Sequence, residues 1–240
     1  MMDWLAPKYL AWLLQGFGVT LALAMAASAA ATWLGFGLAL ARDSRSAPFA
    51  RPAAAFVAVM RNTPLLVQLF FWYFGVAALL PPGVVQWLSQ PHAWHLVLFD
   101  IRWPTLETLA GFLGLTLYTT AFIGEEIRAG LRGVPPGQTH AAAALGLGRF
   151  AVFRHVVLPQ AVRIAMPPLF GQYMNVVKNS SLTMAIGLAD LSYASRQVET
   201  ETFKTFQAFG IATLLYIGAI AVIEAVSMAT THRHAAAPSR

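Results

Sequence analysis

The sequence predicts an all-α membrane protein with about five transmembrane helices, and three observations support this fold class. Of the 240 residues, 58% are hydrophobic and only 11% are charged, too little charge to cover the surface of a soluble domain of this size. Five apolar stretches are long enough to cross a bilayer, which takes about 20 residues per helix. Arginines gather in alternate connections between these stretches.

The apolar stretches define the elements in order. The predicted spans are 10–41, 53–80, 105–124, 164–189 and 206–228. Three of them, the first, second and fourth, are longer than one crossing requires, so we expect a tilt, an interfacial extension or a break in each. Pro167, Pro168, Lys178 and Asn179 interrupt the fourth span.

Basic residues are divided unequally between the two sets of connections. If the N-terminus lies outside, the inner segments hold Arg42, Arg45, Arg51, Arg128, Arg132, Arg149, Arg154, Arg163, Arg233 and Arg240. The outer segments then hold only Lys8, Arg102, Arg196 and Lys204. Because cytoplasmic connections carry the excess of Lys and Arg, the sequence predicts an outer N-terminus and a cytoplasmic C-terminus.

The remaining segments complete a single membrane domain, 1–240, with its core at about 15–228. The outer connection 81–104 carries Trp87, Trp94 and Trp103, which favours an interfacial loop because tryptophan prefers the headgroup level. Residues 229–240 are predicted to form a frayed polar tail.

The inner connection, about 125–163, predicts two short helices bent at Gly146, with good helix formers on both sides. Ala141 and Ala142 permit close approach of another protein, and the pair Leu158-Pro159 is expected to end the second helix, since the residue before proline avoids helical geometry. This segment is a candidate coupling element. The pair Glu125-Glu126 is interpreted as a solvated helix start.

Two cations, Arg61 and Lys178, fall within apolar spans, where each costs about 2.5–3.5 kcal/mol at the bilayer centre. Arg61 either extends to the inner interface or faces a wet cavity. Lys178 is expected near the middle of its span, which favours a cavity or a helix break over a lipid-facing position.

Short polar residues accompany both cations and could line a pathway where backbone groups are freed. Their alternative role is interhelical hydrogen bonding within the bundle. For Asn179 we favour the pathway, and for the others both roles stay open; Pro64 is expected to kink its helix. The candidate pathway residues are Arg61, Asn62, Thr63, Gln68, Asn175, Lys178, Asn179, Ser180 and Ser181.

Three motifs resemble one family. The segment GQTHAAAALG at 137–146, followed by VVLP at 156–159, resembles the EAA loop of ABC importer permeases. RNTPLLVQ at 61–68 and NVVKNSSL at 175–182 resemble the polar amino acid branch, including its glutamate/aspartate and histidine/glutamine permeases. His140 stands where the family has an acidic residue. The residues that carry the loop motif are Gly137, His140, Ala141, Ala142, Gly146, Leu158 and Pro159.

The resemblance implies a type I importer permease core in a bacterial inner membrane, paired with a second permease chain. It also implies two cytoplasmic subunits that bind ATP and Mg²⁺ and an external solute-binding protein. Many members of the family have Lys-Asp where this chain has Lys178-Asn179. Because Asn179 cannot neutralise Lys178 as that carboxylate could, the positive field predicts glutamate, aspartate or a related amino acid as the substrate.

The residues themselves support a transport role over several others. The chain has no phosphate-binding loop, so its energy must come from a partner or an ion gradient. Scattered histidines predict no metal site, and dispersed arginines no nucleic acid partner. The alternatives are an ion-gradient-driven transporter that uses Arg61, Lys178 and Glu224, and a membrane scaffold. An intramembrane enzyme is disfavoured because no nucleophile and base are suitably spaced.

Overall fold

The computed structural model describes residues 4–90, 93–95, 100–102 and 104–235. Nearly all of them are helical, which confirms the all-α prediction. The long helices are α1 (Pro7–Asp43), α2 (Ala47–Asn62), α6 (Leu106–Arg132), α9 (Leu158–Asn179), α10 (Leu191–Thr202) and α11 (Thr205–Ala235). The short ones are α3 (Leu65–Phe70), α4 (Val76–Leu79), α5 (Pro82–Leu88), α7 (Pro136–Ala144) and α8 (Arg149–Val152).

Three helices of the described segments, α1, α6 and α11, are long and apolar enough to cross a membrane by themselves. The second predicted span is a bent pair: α2 and the segment Leu65–Leu79 meet at 107°. The fourth predicted span contains α9, which packs between α6 and α11 but does not meet the same criterion of length and hydropathy. The expectation of a break or extension in the second and fourth spans is therefore confirmed.

Several boundaries differ from the prediction. α6 continues to Arg132, so Glu125 and Glu126 lie near the end of a spanning helix and do not start a solvated one. α9 starts at Leu158 and passes through Pro167 and Pro168, which places Lys178 in its last turn rather than mid-span. The packing of α9 against its neighbours compensates for backbone bonds lost to proline.

The connections predicted to lie on the outer side contain more structure than expected. α10 occupies the connection that precedes the last helix and packs on α1 and α11. The interfacial loop contains α5 and a short antiparallel hairpin, in which Ala93–His95 (β1) pairs with Asp100–Arg102 (β2). Trp87 is partly exposed at 46%, while Trp103 and the side chain of Trp94 lie outside the described structure. α11 runs to Ala235, so the predicted tail is in part helical.

Candidate functional site

The second span breaks because the backbone turns at Thr63, just before Pro64. Thr63 is extended at φ −111° and ψ 137°, the geometry that a following proline imposes. Gln68 fills the gap in hydrogen bonding: its Nε2 donates to the carbonyl of Met60 at 3.0 Å and to Thr63 Oγ1 at 2.7 Å. Gln68 is buried, so its side chain stabilises the bend from within the protein.

The residues just before this bend are exposed. Arg61 places its guanidinium carbon 5.1 Å from the centroid of the Phe122 ring, an arrangement that stabilises a cation by the ring quadrupole. Asn62 donates from Nδ2 to the carbonyl of Ala58 at 2.8 Å. Both side chains lie on the surface of this chain, where another subunit or a substrate can reach them.

The second break lies at the end of α9, where the chain tightens into a 3₁₀ helix, Ser180–Ile186. Ser180 is fully buried and donates to the carbonyl of Val177, three residues earlier in the same helical run, at 2.8 Å. Lys178 is exposed, while Asn175, Asn179 and Ser181 are half-buried. Across the described ranges no ion pair reaches the Lys178 ammonium.

The structure brings the two breaks together. α3, which follows the bend, packs directly on the 3₁₀ segment. Leu65 and Leu69 share one hydrophobic core with Val176, Val177 and Ile186. A movement of either interrupted span therefore acts on the other through close-packed side chains, which transmit displacement because they leave few voids.

The candidate coupling loop forms the expected pair of short helices. α7 ends in a Schellman motif: the amide of Leu147 donates to the carbonyl of Ala142 at 3.3 Å and that of Gly146 to Ala143 at 2.9 Å. Gly146 has φ +84°, a left-handed conformation that costs glycine nothing. The predicted bend at Gly146 is confirmed, and within the motif Gly137, His140 and Ala141 are exposed while Ala142 is buried.

The expectation that Leu158-Pro159 ends the second short helix is wrong. α8 passes through a π-helical turn, 153–157, directly into α9. Pro159 lies in the first turn of α9 and lacks the N–H that would continue the ladder, and the wider π turn before it absorbs the change in register. The loop is thus joined rigidly to a membrane helix.

An ionic cluster that the sequence analysis missed joins the C-terminal ends of α1 and α6. Glu125 accepts from Arg42 Nε at 3.1 Å and from Arg128 Nη1 at 2.9 Å. Asp43 pairs with Arg132 Nη2 at 2.9 Å. Only Glu125 and Arg128 are spaced as neighbours on one helix, so the rest of the cluster carried no local sequence signal.

A second missed feature is the buried Asp190, which caps the N-terminus of α10. Its carboxylate accepts from the Tyr193 amide at 2.9 Å and from Tyr216 Oη at 3.4 Å. Burial raises the pKa of Asp190 from 3.8 to about 6, against the opposing effect of these hydrogen bonds. Thr20 Oγ1 on α1 accepts from the Leu191 amide at 3.1 Å. An acid before an apolar helix start is a cap signal that could have revealed it.

The fold and these features define a class: a multi-pass membrane permease with interrupted spans and a bent loop of short helices at one end. Residues 31–232 match the family model described as binding-protein-dependent transport system inner membrane component. The chain belongs to this family of ABC importer permeases, in its polar amino acid branch, and is an inner-membrane transport subunit rather than an enzyme.

The relatives agree with this assignment. The chain is 32% identical over 209 residues to the glutamate/aspartate import permease protein GltJ of Escherichia coli (strain K12), covering 87% of this chain and 81% of that one. It is 34% identical over 204 residues to the probable glutamine ABC transporter permease protein GlnM of Bacillus subtilis (strain 168), covering 85% and 84%.

A solved structure has the same fold. The crystal structure of an amino acid ABC transporter with histidines contains a chain that matches with a TM-score of 0.79 and 27% identity, covering 94% of this chain and 95% of that one. The predicted type I importer permease fold is thereby confirmed.

Proposed function

We propose that this chain forms half of the translocation pathway of an ATP-driven importer for an acidic amino acid or its amide. The observation that carries the proposal is the exposed apolar surface beside Gly146: Leu145 is 83% exposed and Phe150 is 76% exposed. Large apolar side chains outside the spans mark a docking surface. We assign the docking partner as a dimer of ATP-hydrolysing subunits that hold ATP and Mg²⁺.

The path from this surface to the membrane is short. α7 packs on the π turn that leads into α9, and α9 ends at Lys178 and Asn179. Closure of the ATPase dimer therefore rotates α7 and moves the fourth span. The adjoining bend of the second span follows through the shared core, so the pathway opens to one side at a time.

Substrate preference is assigned to the exposed cation. Lys178 has no acidic partner within the described residues, and Asn179 beside it adds no charge. A positive field favours an anionic ligand. The relatives named for glutamate/aspartate and for glutamine support the same choice. A second permease chain and an external solute-binding protein complete the proposed complex.

Transport by reconstituted complexes tests the proposal. The chain is reconstituted with its ATPase and binding protein, and uptake of glutamate, aspartate, glutamine, histidine and arginine is measured with and without ATP. We expect ATP-dependent uptake led by glutamate, aspartate or glutamine, reduced at least tenfold by Lys178→Ala but unchanged by Lys8→Ala on the outer surface. Uptake that survives ATP removal and collapses with an ionophore would instead establish an ion-gradient-driven transporter.

Coupling has its own test. Gly146→Ala strains the left-handed turn by about 1–2 kcal/mol, whereas Gly148 has φ −65° and open space around it. We expect Gly146→Ala to lower binding-protein-stimulated ATP hydrolysis and Gly148→Ala to leave it intact. Equal effects of both changes would refute a coupling role for this turn.

Orientation is testable because the chain contains no cysteine. Single changes Gln138→Cys in α7 and Ser89→Cys after α5 introduce one thiol each. With the N-terminus outside, an impermeant maleimide added to intact cells reacts with Ser89→Cys and leaves Gln138→Cys unlabelled until the membrane is opened. The reverse labelling pattern would overturn the proposed topology and the coupling role together.

A further inference from the structure

A cavity of about 520 Å³ lies between the turn joining α1 to α2 and the coupling loop. Its polar lining comes from Arg45 on the turn and from Thr139 and Arg149 on the loop. The other walls are apolar, formed by Ala143, Leu147, Val152, Phe153 and Val157. A cavity with two guanidinium groups and an apolar wall suits a ligand that is anionic at one end and apolar at the other.

The charge of this cavity is not neutralised by the protein. The nearby acids are already engaged: Glu125 and Asp43 pair with arginines of α1 and α6, and Glu126 accepts from Gln172 at 3.4 Å. No ion pair within residues 4–90 or 104–235 reaches Arg45 or Arg149. Two adjacent cations without counter-charges therefore favour an external anion.

The position of Arg45 indicates where that anion comes from. The candidate membrane-spanning helix α1 ends at Asp43 and the next candidate membrane segment begins at Ala47, so Arg45 lies on a short turn between two membrane segments. Basic side chains close to the ends of membrane segments attract the headgroups of anionic lipids. Guanidinium groups bind phosphate oxygens in a planar, two-point geometry, and the apolar wall can receive the glycerol and upper acyl region.

We propose that this cavity binds the phosphodiester headgroup of an acidic phospholipid, which bridges Arg45 on the membrane turn to Arg149 on the coupling loop. The bound lipid adds a contact between the bilayer and the segment that meets the ATPase. Leu145 and Phe150, the exposed residues of the proposed docking surface, do not line the cavity. The proposal requires only that α1 spans the membrane and is independent of the transported substrate.

Lipid binding to the purified full-length chain, with any subunits that co-purify, tests the proposal. The probe is fluorescent phosphatidylglycerol in detergent micelles, compared with fluorescent phosphatidylcholine. The double change Arg45→Gln with Arg149→Gln removes both cavity cations. The control, Arg51→Gln with Arg163→Gln, removes two exposed cations that do not line the cavity. Ala143→Trp fills the cavity without changing charge.

We expect saturable binding of phosphatidylglycerol that is at least tenfold tighter than that of phosphatidylcholine. The cavity pair and Ala143→Trp should each weaken it about tenfold or more, since each basic residue near an anionic lipid contributes substantially, while the control pair changes it less than twofold. If the cavity double variant and the control double variant lost phosphatidylglycerol affinity equally, the effect would be one of general surface charge, and the proposed site would be overturned. If millimolar inorganic phosphate displaced the bound phosphatidylglycerol, the cavity would be a site for a free anion, and the assignment of a lipid ligand would be wrong.

Discussion

The two ends of α1 are fixed by opposite means. At its C-terminal end, predicted to lie inside, Arg42 and Asp43 join α6 through ion pairs whose side chains range from about one-fifth to more than half exposed. At its N-terminal end, predicted to lie outside, Gly16 packs against the carbonyl of the buried Asp190, and Thr20 accepts the Leu191 amide. The first contact depends on charge and the second on close packing and a buried cap.

This difference indicates which end of α1 is the more rigid. Ion pairs that water reaches are screened by salt, so we expect the contact at the C-terminal end of α1 to weaken as salt is added. A buried cap in close-packed surroundings is not weakened in this way. We therefore expect the N-terminal end of α1 to be the more rigid, and the predictions below test that contrast from the largest effect to the smallest.

The largest effect should come from the charge of Asp190. Its folded pKa of about 6 lies above its ordinary 3.8, so the folded protein keeps a proton that the unfolded chain has released. Stability is therefore full below about pH 4 and falls as the pH rises through 6, by about 3 kcal/mol. Asp190→Asn keeps the cap without the charge. Thermal unfolding of both proteins from pH 4.5 to 8 should diverge, and parallel profiles would contradict the buried charge.

Gly16→Ala should be the next most damaging change. A β-carbon there would lie 2.7 Å from the Asp190 carbonyl oxygen and 2.9 Å from Ala194 Cβ, so α1 and α10 must separate, at a cost of about 1–3 kcal/mol. Gly18 on the same helix has nothing within 4 Å, and Gly18→Ala should be neutral or stabilising. Melting temperatures in detergent give the comparison; similar values for the two variants would argue against close packing at this end.

Glu125→Gln tests the C-terminal end of α1. The change leaves Arg42 and Arg128, with side chains 23% and 18% exposed, without their shared carboxylate. Allowing for solvent screening, we expect a loss of about 1–2 kcal/mol that shrinks as salt is added. Glu126→Gln, which alters only a 3.4 Å contact with Gln172, is the control. A salt-independent loss would indicate packing instead of charge.

Arg132→Gln should have the smallest effect. Its pair with Asp43 is short at 2.9 Å, but the side chains are 58% and 43% exposed, and such pairs contribute about 0–1 kcal/mol. Urea denaturation in mild detergent should barely separate this variant from the parent. A loss that exceeds the one caused by Glu125→Gln would reverse the assigned order of the two pairs.

Sequence reasoning predicted the local breaks in the backbone better than the burial of the side chains around them. The bend at Pro64 and the turn at Gly146 were predictable because proline and glycine restrict or release the backbone locally. The burial of Gln68 and Ser180 beside the exposed Lys178 was not predictable, because which residues of a helix turn face inward is decided only when the neighbouring helices are in place. The Leu158-Pro159 prediction failed because the π turn before Pro159 lets the helical run continue through the proline.

The sequence by itself determined the membrane class, the apolar segments and the motifs of an importer permease, because hydropathy and local backbone restrictions act over a few residues. Only the tertiary structure decided which distant segments meet. The packing of α3 on the 3₁₀ segment, the cluster around Glu125 and the cap at Asp190 join residues far apart in the chain. Contacts of this kind depend on the complete packing of the bundle, which has no local signature.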